Sequence, residues 1–302
     1  MRFGNRAPNE GVLNRSARPA RRARARDVQI LEKAKEPAVT AFDPNACTAL
    51  IEDLTAIAAR AAAIIRQCGA ASLRHKADGS PVTAADEAAE AVILQDLERL
   101  APGIPIVSEE WSAKDQGHAP TSSGASYFLV DPLDGTREFL AGRDEFTVNI
   151  ALMDRGTPLI GVIAAPVADL AWRGIVGRGA ERMRLGDRSG RTAIRTRPRP
   201  AQPVIVISRS HLDPDTKAYL TGLPQASAVT CGSSIKFCRI AEGSADLYPR
   251  LAPTHDWDVA AGHAILAAAG GEVRAASGAQ PIYGTPKRLI PNFIARGDPQ
   301  HG

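Results

Sequence analysis

The stretch Val130-Asp131-Pro132-Leu133-Asp134-Gly135-Thr136 lies where an apolar run, Tyr127 to Asp131, gives way to a turn and a short helix. Asp131 falls at the carboxyl end of the predicted strand, and the turn brings Asp134 back beside it. Two carboxylates held this closely repel one another unless a cation sits between them. The donors on offer are hard oxygens, the Leu133 carbonyl included, so magnesium is the matching ion. Gly135 and Thr136 open the helix, where unpaired backbone N–H groups and the positive dipole end favour an anion such as phosphate. The same residues also read as strand, proline turn and aspartate cap, so the decision falls to the rest of the chain.

Upstream, Ser108-Glu109-Glu110 ends the run Ile104 to Ser108 and puts a carboxylate at another strand terminus; alone it reads as a solvated strand end. Far downstream, Trp257-Asp258-Val259-Ala260-Ala261-Gly262 begins a helix with Asp258 in its first turn, where an acid also complements the dipole. Together Glu109, Asp131, Asp134, Asp258 and the Leu133 carbonyl make a candidate two-metal site. Thr83 and Asp86 are spaced as a capping pair. The functional alternative is that Asp86 and Thr136, with Glu109 beside them, orient and deprotonate a metal-held water for attack on phosphorus. The histidines show no HxxH or HxxxH spacing, and neither GxSxG nor GxxxxGK[ST] occurs, which sets aside zinc, serine-hydrolase and P-loop chemistry.

Around these motifs the pattern alternates. Asp43-Pro44 starts an amphipathic helix with Leu50, Leu54, Ile57, Ala61, Ile64 and Cys68 on one face, and Lys76 to Pro81 reads as a turn. Thr83 caps a second helix carrying Ala89, Val92, Ile93, Leu97 and Leu100. Strands follow at 104–108, 127–131, 146–152, 159–165 and 170–176, with period-two alternation of Phe146, Val148, Ile150 and Leu152 against Thr147, Asn149 and Ala151. The basic stretch 178–199 reads as a surface hairpin and loop. Beyond it come strand 204–207, helix 233–241, strand 246–248, a helix from Trp257 stopped by Gly270-Gly271, and strand 272–274. The expected fold class is α/β (α+β), with an arm at 1–42 and subdomains at 43–200 and 201–302.

The chain has 302 residues and a formal net charge of +4, but residues 1–26 hold eight arginines against Glu10 alone. Without them the body has 29 basic and 32 acidic residues, mildly acidic and without the footprint of a nucleic-acid binder. The arm cannot bury enough surface to fold alone, and its Arg21 to Arg26 run offers at most a peripheral membrane contact. Cys47, Cys68, Cys231 and Cys238 form no CxxC pair and read as reduced thiols of a cytoplasmic protein.

The ordered motifs Glu-Glu after a strand, DPxDGT and WDxAAG resemble the inositol monophosphatase superfamily over about residues 43 to 295. Further phrases are similar to its 3′(2′),5′-bisphosphate nucleotidase branch: Lys76 to Thr83, Glu145 to Leu152, Ser208 to His211, Gly232 to Cys238, and Leu247 to Arg250. The resemblance implies a layered α-β-α-β-α sandwich of the inositol monophosphatase / fructose-1,6-bisphosphatase type, hydrolysing adenosine 3′,5′-bisphosphate to AMP in support of sulfur assimilation. It implies one Mg²⁺ on Glu109, Asp131 and the Leu133 carbonyl, a second on Asp131, Asp134 and Asp258, and lithium sensitivity. Gly135 and Thr136 would then hold the scissile phosphate, with Leu133, Asp134 and Asp258 also among the substrate-binding residues, while Ser233, Lys236 and Arg250 read the nucleotide's other end. Lys236 has the alternative of pairing with an acid on a helix surface. Some relatives act at the cytoplasmic face of the inner membrane. The arm, the loop 112–125 and Arg137 depart from the pattern. Inositol, fructose or histidinol phosphates are the alternative substrates, and a non-catalytic nucleotide or metal sensor is the alternative of another class.

Overall fold

The computed structural model describes residues 44–68, 74–75, 81–114, 126–210 and 212–299. The arm 1–42, the expected cap Asp43, turn residues 76–80, the loop 115–125 and His211 lie outside the described residues. Helix α1 (Pro44–Cys68) precedes the paired strands β1 (Arg74–His75) and β2 (Pro81–Val82), then helix α2 (Ala84–Leu100). On α1 the inward stripe is Leu54, Ile57, Ala58, Ala61 and Ile65. Ile65 rather than the expected Ile64 takes the core position, as a 3.6-residue period allows either.

Next come β3 (Ile106–Ser108), α3 (Glu109–Lys114), β4 (Tyr127–Asp134), α4 (Thr136–Leu140), β5 (Thr147–Asp154), β6 (Thr157–Ala165), β7 (Leu170–Ile175), β8 (Gly179–Arg184) and β9 (Thr192–Ile194). These strands form one seven-stranded sheet in chain order, with β3 parallel to β4 and every other pair antiparallel. The basic stretch expected to be a surface hairpin and loop holds the antiparallel pair β8 and β9, which forms this sheet's far edge. One face, with Phe128, Val130, Val148, Ile150 and Val162, packs on α1 and α2. The other, with Tyr127, Leu129, Met153 and Ile163, receives a later helix.

The remainder comprises β10 (Val204–Ser208), α5 (Pro214–Thr221), β11 (Ser227–Cys231), α6 (Ile235–Ala241), β12 (Leu247–Arg250), β13 (Thr254–His255), α7 (Trp257–Ala268), β14 (Glu272–Arg274), β15 (Leu289–Ile290) and β16 (Phe293–Arg296). A five-stranded sheet runs β11-β10-β12-β16-β14. Val259, Ala260, Ala261, Ala264, Ile265 and Leu266 of α7 are all at most 2% exposed, because the helix is apolar all round and lies between the two sheets. Each such Ile or Leu contributes roughly 1.5–3 kcal/mol by leaving water. α5, unforeseen in sequence although Asp213 caps it and Pro214 opens it, covers the outer face of the second sheet through Tyr219 and Leu220. The layers are therefore α-β-α-β-α, as the family resemblance implies. Among the described residues, no helix is long and apolar enough to cross a membrane.

His263 on α7 sets Nδ1 2.8 Å from the Tyr283 hydroxyl, and burial, helped by the charge of Arg274, lowers its pKa from 6.5 to about 4. Between these two values the unfolded imidazole takes up a proton that the folded one refuses, so its contribution to stability is lost as pH falls through that window. His263→Gln should remove this dependence. Urea midpoints at pH 7.5 and 5 should show the wild-type advantage shrinking in acid; a pH-independent difference would mean that His263 does not titrate differently on unfolding.

Candidate active site

The register of β4 on β5 shifts between Asp131, opposite Asn149, and Asp134, opposite Thr147, so three steps on one strand face two on the other. This is a bulge, and Pro132, which has no N–H for a ladder, is at home in it. The bulge re-aims the chain so that Asp131 is buried, its carboxylate accepting the Leu133 N–H at 3.1 Å, while Asp134 faces a cavity. Gly135 follows at φ 96°, and a Cβ there would also press to 3.2 Å from the Glu145 carbonyl, so glycine is required twice over.

Asp86 takes the capping role foreseen for it with one oxygen and meets Thr136 with the other. Its Oδ2 accepts the Thr83 N–H at 2.8 Å and completes the capping box of α2, while Oδ1 accepts the Thr136 hydroxyl at 3.2 Å. That hydroxyl is also 3.3 Å from the Leu133 carbonyl. Burial raises the Asp86 pKa against the hydrogen bonds from Thr83 and Thr136, which makes it a stronger base than an exposed aspartate.

Glu109, expected at a strand end, is the first residue of α3 and lines the same cavity, as do Asp134, Thr136 and Asp258. Asp258 lies in the first turn of α7, as expected of an acid that complements the dipole, and accepts the Thr254 hydroxyl and the His255 N–H, the latter at 3.1 Å. Burial first, then the charge of Asp258, pushes the Asp134 pKa upward; Lys236 and Asn149 only partly offset this. Among the described residues no three carboxylates, imidazoles or thiols stand close enough to share an ion as they are. Asp131 accepts the Leu133 N–H, Asp134 the Asn149 amide and Asp258 the Thr254 hydroxyl. The oxygen-only donors and the mutual repulsion of Asp134 and Asp258 fit a hard divalent cation.

The cavity is also lined by Ser233, Lys236 and Arg250. Lys236 is not on a helix surface: it is 3% exposed, its ammonium donates to the Ser233 carbonyl and, at 3.4 Å, to the Cys231 carbonyl, and it lies 5.1 Å from the Tyr248 ring centre. Burial weakens the Arg250 guanidinium's hold on its proton, but Tyr248, Asp258 and Asp134 more than restore it. Sequence reasoning missed a buried relay behind Asp134. The Asn149 amide reaches Asp134 at 3.4 Å, the Ser234 hydroxyl donates to Asn149 Oδ1 at 2.7 Å, and Thr147 and Ser234 hydroxyls pair at 2.8 Å. Thr147 and Asn149 resemble the outward half of an alternating strand, yet every residue of β5 is buried, and Ser234 comes from the start of α6.

Acidic and basic side chains, Glu109, Asp134 and Asp258 with Lys236 and Arg250, thus face one cavity of a five-layer α/β scaffold, a set of groups suited to a phosphate ester and its cation. The model of the inositol monophosphatase family matches residues 47–299. The chain is 47% identical over 220 residues to the 3′(2′),5′-bisphosphate nucleotidase CysQ of Shigella flexneri, covering 72% of this chain and 86% of that one. The CysQ nucleotidase of Escherichia coli (strain K12) is 46% identical over the same shares. Among solved structures, CysQ from Bacteroides thetaiotaomicron, a bacterial member of the inositol monophosphatase family, is 34% identical with a TM-score of 0.68, covering 82% of this chain and 97% of that one. An inositol monophosphatase from Anabaena gives 26% and 0.66, over 83% and 91%. The chain belongs to the inositol monophosphatase family.

Proposed function

We propose that the protein is a magnesium-dependent 3′(2′),5′-bisphosphate nucleotidase that hydrolyses adenosine 3′,5′-bisphosphate to AMP and phosphate. The observation that carries this reading is one cavity lined both by Glu109, Asp134 and Asp258 and by Lys236 and Arg250. Acids alone would serve a cation, and the added Lys and Arg call for a substrate with a second anionic group. Glu109, Asp131, Asp134, Asp258 and the Leu133 carbonyl would hold the magnesium ions. Bound there, magnesium supplies charge neutralisation and polarises phosphoryl oxygen and water. Thr136, hydrogen-bonded to Asp86, orients the attacking water, and Asp86 receives its proton. Gly135 leaves room for the phosphate, and Ser233, Lys236 and Arg250 bind the remote phosphate. The corresponding role is removal of an inhibitory by-product of sulfur assimilation.

The test is phosphate release from adenosine 3′,5′-bisphosphate, inositol 1-phosphate and fructose 1,6-bisphosphate, with and without Mg²⁺. Mg²⁺-dependent preference for the nucleotide is expected; preference for either other ester would overturn the substrate, and no turnover of any would restore the sensor alternative. Lys236→Ala should raise KM for the bisphosphate by about tenfold to a hundredfold, the loss of one charge-assisted hydrogen bond. An unchanged KM would remove Lys236 from the binding set.

A further inference from the structure

The turn that bears Ser233 and leads into α6, which carries Lys236, is fastened at one residue outside the cavity. Glu145, just ahead of β5, accepts the Gly232 N–H on Oε2 at 2.9 Å. Arg209, the residue after β10, grips the same carboxylate with Nε on Oε2 and Nη2 on Oε1, both at 2.9 Å. Arg209 also donates its own N–H to the Cys231 carbonyl at 3.3 Å and Nη2 to the Thr230 carbonyl at 3.4 Å. Burial opposes charge on Glu145, but Arg209, the Gly232 amide and Lys236 outweigh it and hold the carboxyl below the usual range.

The backbone of Glu145 is wedged as tightly as its side chain. A Cβ on Gly232 would stand 2.6 Å from the Glu145 carbonyl oxygen, and one on Gly135 3.2 Å from the same atom. One carbonyl therefore lies against Gly135 of the phosphate cradle and against the turn that leads to Ser233. That turn is itself unrelaxed, since Ser233 sits at φ 45° without being glycine. The Lys236 ammonium rests on the carbonyls of Cys231 and Ser233, the two neighbours of Gly232, so its place follows that of the turn.

We propose that Glu145, clamped by Arg209, is a positioning residue that fixes Ser233 and Lys236 at the separation from Gly135 and Thr136 that a bisphosphate requires. The inference rests on the nucleotidase reading. Neither Glu145 nor Arg209 lines the cavity, so the pair acts through the turn and not on the substrate.

Steady-state kinetics of Glu145→Gln, Arg209→Gln and the double variant test it, with adenosine 3′,5′-bisphosphate and adenosine 3′-monophosphate as substrates. Each single variant should raise KM for the bisphosphate about tenfold with kcat held within about twofold, and leave both constants for the monophosphate unchanged. The double variant should be no worse than the more affected single one, because both break one clamp. Arg209→Lys should restore part of the loss. Arg209 has a side chain 34% exposed, so its variants fold even if Glu145→Gln is weakened. Equal KM changes on both substrates, or none in either single variant, would overturn the proposal while the wild-type preference stood. A wild-type enzyme without preference for the bisphosphate would instead remove the nucleotidase reading and this inference together.

Discussion

Asp134→Asn should lower turnover by on the order of a thousandfold, equivalent to several kcal/mol of lost charge stabilisation, while the metal-free variant melts higher than the metal-free wild type. The two effects share one cause. Burial and the neighbouring charge of Asp258 make an ionised Asp134 unfavourable without a cation, as its raised pKa records. A neutral isostere relieves that repulsion and forfeits the cation. Thermal melts at pH 8 should accordingly show Mg²⁺ raising the wild-type midpoint by mass action and hardly moving the variant. Equal Mg²⁺-induced shifts in both proteins would show that Asp134 does not bind the ion.

Gly161→Ala should destabilise the fold by about 3 kcal/mol, through overpacking that no side-chain rotation can relieve. A Cβ on Gly161 would stand 2.2 Å from the Ala261 carbonyl oxygen, which is backbone of α7, and 3.0 Å from the Ala264 Cβ. Only movement of α7 off the sheet makes room. Asp258 rides in the first turn of that helix, so the folded fraction should also lose activity. Urea unfolding gives the first quantity and turnover per folded molecule the second. Full activity in the folded fraction would mean that Asp258 is placed independently of how α7 seats on β6.

Much of this architecture was legible where a local signal and the tertiary fold agree. α2 begins at Thr83 because the cap, the acidic N3 residue and the apolar stripe all point there. β11 escaped notice because it is an edge strand with four of its five residues exposed, leaving no alternation to read. β16 pairs with β12 and β14, and its four residues gain meaning only from partners distant in sequence. At the site, each acid singled out sits at a strand end, a bulge or a helix start, positions with a signature of their own. Asn149, Thr147 and Ser234 have none. All three are neutral; Asn149 and Thr147 obey the period of a half-exposed strand, Ser234 sits unmarked at the start of α6, and only the covering of β5 on both faces turns them into supports for Asp134.

The double burial of α7 also bears on the birth of the molecule. Synthesis proceeds from the amino end, so the sheet face bearing Tyr127, Leu129, Met153 and Ile163 leaves the ribosome long before the helix that covers it. For that interval the nascent chain carries a bare apolar sheet, the kind of surface that chaperones hold and that aggregates form on. It also carries no Asp258. The helix that ends the exposure is the one that delivers the last acid of the cavity, so the cavity's lining is completed in the same step that covers the apolar sheet.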